Sequence, residues 1–331
     1  MPDLIIIDGN SLVHRAFHAI PPLSTSQGLV TNAVYGFTNM LMKLIKDESP
    51  ARIVVAFDKG KVTFRHADFA DYKANRPATP EDLRPQFPLL KDLLKAMRVK
   101  TFEAEGYEAD DLIGAIAEKA EQSGLKSIII TGDRDAFQLV SPLTKVRMTK
   151  KGISKLDEYD EGKVWDRYAI TPRQYTDFRG LTGDSSDNVP GIPGIGEKTA
   201  SRLLKEYGTL EEILTHAEEL TGRTAGLVSA FKDQAVLSKK LVTINRDVPV
   251  EIDLEECRLK KPDYHDLLQM LKKLEFKSMI KSMYRDSSKD AAEKDGRLKG
   301  QAQKKAKQVL PEPDLETYPI TYTRLDNSAR L

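Results

Sequence analysis

Leu4-Ile5-Ile6-Ile7, closed by Asp8, is the stretch that decides the fold. It is apolar at every position, rich in β-branched residues and too short for a helix, which predicts a strand buried on both faces. Two further runs have the same form. Ile53 to Phe57 ends at Asp58, and Ile128 to Ile130 leads through Thr131-Gly132 to Asp133 and Asp135. Helical spacing fills the intervals. Leu83, Phe87, Leu90, Leu94 and Met97 recur at steps of three and four, and Thr79-Pro80 with Asp82 predicts that this helix starts at residue 80. A second helix is expected from Glu108 through Leu112, Ile113, Ile116 and Ala117 to Gly124. Strands alternating with helices predict an α/β fold with a mostly parallel central sheet flanked by helices.

After about Thr171 strand signals become sparse. Segments 198–206, 209–220, 230–243 and 262–283 look helical and are separated by Gly, Pro and Asn turns. From about Arg285 the composition shifts to Lys, Ala, Gln and Ser and then to Pro311-Glu312-Pro313, with little to bury, so 285–331 is expected to be a disordered tail or linker. The expected organisation is therefore 1–170 as an α/β core, 171–284 as a helical half and 285–331 as the tail.

The 331 residues, 40% of them hydrophobic, suffice for a substantial core. With 51 basic and 50 acidic residues the net charge is +1, so bulk charge says nothing about partners, and an acidic pocket can coexist with basic surfaces. A single cysteine, Cys257, forms no internal disulfide and excludes a cysteine-based zinc site. No apolar run approaches the length of a membrane span, and Met1-Pro2-Asp3 opens nothing like a signal peptide. A soluble cytoplasmic protein with no membrane association is the expectation.

All the apolar runs end in aspartate. Ligand sites in open α/β sheets lie outside the carboxyl ends of the strands, so Asp8, Asp58, Asp133 and Asp135 should gather in one crevice. Glu108 and Asp111, three apart in Glu108-Ala109-Asp110-Asp111, would share the face of a helix opening. Taken singly, each acid has a plainer reading as a turn former, a cap or a partner of the helix dipole. Taken together they repel, since two like charges about 4 Å apart cost roughly 4 kcal/mol at an effective dielectric near 20. Protonation or a cation relieves that repulsion. An oxygen donor set almost free of His and Cys suits a hard ion, Mg²⁺ or Mn²⁺. Gly183-Asp184-Ser185-Ser186-Asp187-Asn188 adds further acids in what is, alone, an ordinary turn.

That turn runs into Val189-Pro190-Gly191-Ile192-Pro193-Gly194-Ile195-Gly196-Glu197-Lys198-Thr199-Ala200. Gly-x-Gly ahead of a helix lets backbone N–H groups approach an anion, as in a helix–hairpin–helix that grips a DNA phosphate, with Lys198 adding charge. The rival, a dinucleotide-binding loop, needs a preceding strand and a third glycine, and both are missing. An αα-hairpin with glycine for close packing is the bland alternative. Between the second strand and the helix near 81 lie Phe64-Arg65-His66 and Asp71-Tyr72-Lys73-Ala74-Asn75-Arg76. Tyr72 could stack on a base while Lys73 and Arg76 neutralise phosphates; a solvated charged loop is the equal alternative.

In order along the chain, IIIDGNSLVHRAFHA, VVAFD, FRHADFADYKANR, EGYEADD, TGDRDAFQL, GDSSDNVPGIPGIGEKTA and LEFKSMI are similar to the bacterial 5′–3′ exonuclease pattern, over roughly residues 1–284. The superfamily it resembles includes flap endonucleases and phage 5′ nucleases. The resemblance implies a PIN-like core over 1–170 with a helical arch around 64–97, and a DNA-binding half over 171–284 with its glycine hairpin at 189–200. It implies that Asp8, Asp58, Glu108 and Asp110, with Asp111 close by, surround one metal ion and that Asp133, Asp135, Asp184 and Asp187 serve a second. Tyr72, Lys73 and Arg76 would stand at the base of the arch near the scissile phosphate, with Arg15 a further basic contact. Gly191, Gly194, Ile195, Gly196, Lys198 and Thr199 would hold the duplex, with a monovalent cation such as K⁺. Implied partners are branched, flapped or nicked duplex DNA with a 5′ end, RNA primers paired to DNA, and a covalently or functionally linked polymerase domain, on a monomeric protein. Two other classes stay open: a related nuclease acting mainly on RNA, and a DNA-structure-binding protein without catalysis.

Overall fold

The computed structural model describes residues 2–149 and 156–284; the expected tail at 285–331 lies outside them. The first half runs β1 (Leu4–Asp8), α1 (Gly9–Ala19), α2 (Asn32–Glu48), β2 (Arg52–Ala56), β3 (Lys59–Thr63), α3 (Phe64–Asp68), α4 (Gln86–Ala96), β4 (Lys100–Phe102), β5 (Glu105–Gly106), α5 (Ala109–Gln122), β6 (Ser127–Thr131), β7 (Thr144–Thr149) and β8 (Leu156–Tyr159). Helices follow: α6 (Glu161–Tyr168), α7 (Tyr175–Thr182), α8 (Glu197–Tyr207), α9 (Leu210–Thr215), α10 (Gly222–Ala230), α11 (Lys232–Val242) and α12 (Tyr264–Lys273).

The main sheet has the order β4-β2-β1-β6-β7-β8. All its pairings are parallel except that of β8, which closes one edge antiparallel to β7. The chain builds outward from β1 through β2 to β4, then returns to the other side of β1 as β6. That reversal opens a crevice at the carboxyl ends of β1 and β6, where Asp8 ends one strand and Asp133 follows the other.

Burial on both faces explains the continuous apolar runs. Leu4, Ile6, Val54, Ala56 and Ile129 pack on α5 and, through one continuous core, on the helical half. Ile5, Ile7, Ile53, Val55, Ile128 and Ile130 point the other way, onto α1, α2 and α4. Leu267, Leu271 and Phe276 join this second core, so α12 and the turn after it return to the α/β half.

Several expectations are corrected. The helix expected from residue 80 begins at Gln86, and residues 81–85 are turns. Pro88 is the reason: deep in a helix it would lose a hydrogen bond and clash one turn back, whereas at the third helical position its missing N–H costs nothing. Gln86 is fully buried. Its Oε1 accepts from Ala33 N at 2.8 Å and Val34 N at 3.3 Å, tying the start of α4 to the start of α2. Residues 64–97, where the arch is expected, hold two helices, Phe64–Asp68 and Gln86–Ala96, joined by turns. β7, β8 and α10 carry no strong periodic signal and were not expected. The helix expected over 262–283 breaks at Glu275, where φ is +57°.

Candidate metal centre and nucleic-acid interface

Each acid at the crevice is set by the element that carries it. Asp8 ends β1 and caps α1: its Oδ1 accepts from Ser11 N at 2.9 Å and its Oδ2 from Thr131 Oγ1 at 2.6 Å. Asp58 follows β2; it accepts from Ala109 N at 2.7 Å, at the start of α5, and its own amide donates to Asn10 Oδ1 at 3.0 Å. Asp133 caps the short 3₁₀ turn Arg134–Leu139 by accepting from Asp135 N at 2.9 Å. Glu108 caps α5, and Asp110 lies in its first turn.

These carboxyls feel one another. Burial pushes Asp8 up to about 7, with Asp58 and Asp133 adding to the rise and the bonds from Thr131 and Ser11 opposing it. Burial likewise lifts Asp135 to about 7, helped by Asp133 and Asp184 and opposed by Arg179. Asp110 rises well above the usual carboxylate range through burial and the charges of Asp133 and Asp8. Asp133 rises through burial and Asp187. A crowded set of oxygen donors, each disfavoured in its charged form, is the chemistry that a hard dication stabilises.

Cations stand among the acids. Lys73 Nζ lies 2.8 Å from Glu108 Oε2 and 3.6 Å from Asp187 Oδ2. Arg76 Nε donates to Asp187 Oδ1 at 2.9 Å, and its Nη2 is bonded to the same oxygen. Arg179, on α7, bridges Asp135 at 3.0 Å and Asp184, which it meets through Nη2. Glu108 and Asp187 are thus paired with Lys73 and Arg76, and Asp135 and Asp184 with Arg179, and among the described residues no three acids already stand as a ligand group. The loop that carries Lys73 and Arg76 is docked on the Asp184–Val189 turn: Lys73 N donates to Asp187 O at 2.9 Å, Asn75 Nδ2 to Ser185 O at 2.5 Å and Asn188 Nδ2 to Asp71 O at 2.7 Å. Lys73 and Asn188 both hold positive φ, +57° and +58°, an uncommon backbone for non-glycine residues that the docking sustains.

The sequence-expected residues thus divide. Asp8, Asp58, Glu108, Asp110, Asp133, Asp135, Asp184 and Asp187 share the crevice with Lys73 and Arg76. Arg15, on α1, comes beside Gly132 at the end of β6, where a Cβ on that glycine would lie 4.0 Å from Arg15 Nε. Asp111 is turned away and bound to Arg65. Tyr72 is 5% exposed and packed with Val189, Leu241 and Val242, so its ring offers no face to a base; its hydroxyl donates to Glu108 Oε2 at 3.3 Å. Arg179 was missed, because a lone arginine five residues ahead of an acid carries no periodic signal.

In the hairpin, Gly183 and Gly191 both hold positive φ, and a Cβ on Gly191 would lie 2.2 Å from Gly183 N. Gly191 N donates to Ser238 Oγ at 2.9 Å, and Ile195, itself buried, donates to Ile192 O at 3.0 Å. The amides of Gly191 and Ile195 are thus engaged within the fold. Gly196 is different: it caps α8 with nothing within 4 Å of its Cβ direction. Gly194, at φ +90°, lies on the same stretch, Lys198 is exposed, and Thr199 N donates to Gly196 O at 3.1 Å.

Acids crowded at the switch point of a parallel sheet, with fixed cations beside them, suit metal-assisted hydrolysis of a phosphate ester. The chain belongs to the 5′–3′ exonuclease family: residues 3–169 match its N-terminal resolvase-like domain and residues 170–265 its C-terminal SAM fold. It is 46% identical over 288 residues to DNA polymerase I of Bacillus caldotenax and 43% identical over 296 residues to that of Bacillus subtilis, matches that cover 87% and 89% of this chain. In both cases the match spans 33% of the relative's length. Among solved structures, T5 5′-exonuclease with bound zinc ions shares the fold at a TM-score of 0.61 and 24% identity, over 73% of this chain and 89% of that one. The catalytic core of Rad2 in complex with DNA substrate shares it at 0.54 and 16%, over 82% and 88%. No helix among the described residues is long and apolar enough to cross a membrane.

Proposed function

We propose that the chain is a structure-specific 5′–3′ exonuclease and flap endonuclease. It hydrolyses phosphodiester bonds near the 5′ end of flapped, branched or nicked duplex DNA, and of RNA primers paired to DNA. The observation that carries this is the meeting of Asp8, Asp58, Asp110 and Asp133 beside the docked loop of Lys73 and Arg76.

Asp8, Asp58, Glu108 and Asp110 would hold one Mg²⁺, and Asp133, Asp135, Asp184 and Asp187 a second, with Mn²⁺ able to replace it. Such ions supply activation of water and stabilisation of the leaving oxygen. Lys73 and Arg76 place positive charge where the scissile phosphate approaches the acids, offsetting charge that grows in the transition state. Thr131 and Ser11 hold Asp8 in orientation, and Arg179 holds Asp135 and Asp184. Gly194, Gly196, Lys198 and Thr199 grip the backbone of the duplex, with K⁺ at the hairpin. Specificity follows from DNA shape, with little reading of base sequence. The setting is a monomer in the cytoplasm that works with a linked polymerase domain in replication and repair; the likeness to polymerase I chains supports the polymerase link.

The test compares a 5′-flap duplex with single-stranded RNA of the same sequence, in Mg²⁺ and in chelator. Mg²⁺-dependent cutting of the flap is the expected result. Preferred cutting of the RNA would favour the RNA nuclease reading, and binding without cutting the non-catalytic one.

A further inference from the structure

Asp111 stands next to Asp110 in a family motif rich in metal-binding acids, yet its surroundings differ from those of every other acid at the crevice. It is 0% exposed, and its partner Arg65 is 2% exposed. The guanidinium forks onto the carboxylate, Nη2 to Oδ1 at 2.7 Å and Nη1 to Oδ2 at 2.8 Å. Asn245 N adds a bond to Oδ1 at 2.9 Å, and Glu108 N one to Oδ2 at 3.0 Å. A carboxylate has about four acceptor sites. Each oxygen of Asp111 already accepts two N–H groups, so none is left for a cation.

Arg65 is equally committed. Its Nε donates to Leu241 O at 2.8 Å and its Nη2 to Thr243 O at 2.9 Å, and its Nη1 lies 3.6 Å from Glu108 Oε2. Segments from separate parts of the chain therefore meet on this pair. One is α3, which opens the stretch leading to Lys73 and Arg76. Another is the N-terminus of α5, with Glu108 and Asp110. The last is the end of α11, the helix that packs on α7, where a Cβ on Gly180 would lie 3.0 Å from Lys239 Cβ.

We infer that Arg65 and Asp111 are positioning residues that set Glu108 against Lys73, and that Asp111 binds no metal ion. The buried fork fixes the backbone of Glu108 directly, through its amide, and fixes the start of the Lys73 segment through α3. This inference rests on the nuclease reading of the site and adds a residue to its machinery while removing another from its ligand set.

The test uses the full chain, with Mg²⁺ alone as the calorimetric probe and single-turnover cleavage of a 5′-flap duplex as the kinetic one. Asp111→Asn and Arg65→Lys should bind as many Mg²⁺ ions as wild type and cleave at least tenfold more slowly at saturating DNA, since a misplacement of about 1 Å can cost on the order of 100-fold. Arg65→Lys combined with Lys73→Met should be slowed less than the product of the single effects, because the arginine acts by placing that lysine. Combined with Lys198→Ala, which acts on binding, its slowing at saturating DNA should be unchanged. A Mg²⁺ ion lost in Asp111→Asn but kept in Arg65→Lys would overturn the inference, as would wild-type cleavage by Arg65→Lys or multiplying effects with Lys73→Met. If Asp111→Asn does not fold, Arg65→Lys, which keeps the charge and loses only the fork, decides alone. Wild-type protein that neither binds Mg²⁺ nor cuts would sink the nuclease reading instead, a distinct result.

Discussion

Lys73 Nζ lies 2.8 Å from Glu108 Oε2, reached from a backbone held at φ +57° by a hydrogen bond from its own amide to Asp187 O. Burial alone would lower the affinity of this lysine for its proton; Glu108, Tyr72 and Asp187 outweigh that and raise it well above the ordinary value. The lysine is therefore a permanent cation at the mouth of the acid crevice. Lys73→Ala should lower single-turnover cleavage at saturating DNA by about 10² to 10³, the range for removing one fixed electrostatic donor, while equilibrium binding changes little. Loss of affinity alone would remove Lys73 from the chemistry.

The hairpin should behave in the opposite way. Lys198→Ala should weaken binding and reduce the salt slope of log K by about 0.9, one phosphate contact, with the rate at saturating DNA unchanged. Titrations at several salt concentrations read the slope. An unchanged slope would place Lys198 off the DNA.

Gly191→Ala meets a harder obstacle. Its Cβ would fall 2.2 Å from Gly183 N, at a φ of +59° that alanine rarely adopts. Backbone must move on both sides, so the variant should melt well below wild type and bind flap DNA less tightly. A melting temperature equal to wild type would mean that the two strands of the hairpin are not packed backbone to backbone.

Asp187 has Arg76 and Lys73 as ionic partners and is 4% exposed. Asp187→Asn removes a negative charge with little change of shape and frees those cations toward solvent. In chelator it should bind flap DNA at least as tightly as wild type, yet cleave poorly in Mg²⁺. Clearly weaker binding in chelator would show that Asp187 supports the DNA-binding surface.

Asp8 and Asp135 make stability depend on pH in a direction that can be worked out. Both are raised from 3.8 to about 7 in the fold, so between those values the native state holds more protons than the unfolded chain. Stability in chelator should therefore fall as pH rises from about 4 toward about 7 and level off above. Asp8→Asn should flatten that fall, and Mg²⁺ should counter it. Melting curves across pH, with and without Mg²⁺, read both effects; a rise in stability over the same window would contradict the burial of these acids.

The sequence carried the strand-end acids openly, because a buried parallel strand is a continuous apolar run and the residue after it must face the crevice. Asp8 and Asp58 needed no more than that. Asp111 reads from sequence as one more acid in a helix opening, and only the distant Arg65 and Asn245 reveal how its oxygens are engaged. Arg179 and Arg65 act through partners 44 and 46 residues away, which no local pattern announces. Tyr72 illustrates the limit of composition, since an aromatic among basic residues reads as a stacking platform until Val189 and Leu241 cover it. Pro88 marks the late start of α4 in the sequence, since a proline is costly deep inside a helix.

That the acid crevice is the cutting site is tested most directly by single-turnover cleavage of a 5′-flap duplex in Mg²⁺ by wild type and Asp58→Ala, each first shown to bind the DNA in chelator. Wild type should cut, and Asp58→Ala should bind but show no cleavage above background. Near-normal cutting by Asp58→Ala would contradict the account.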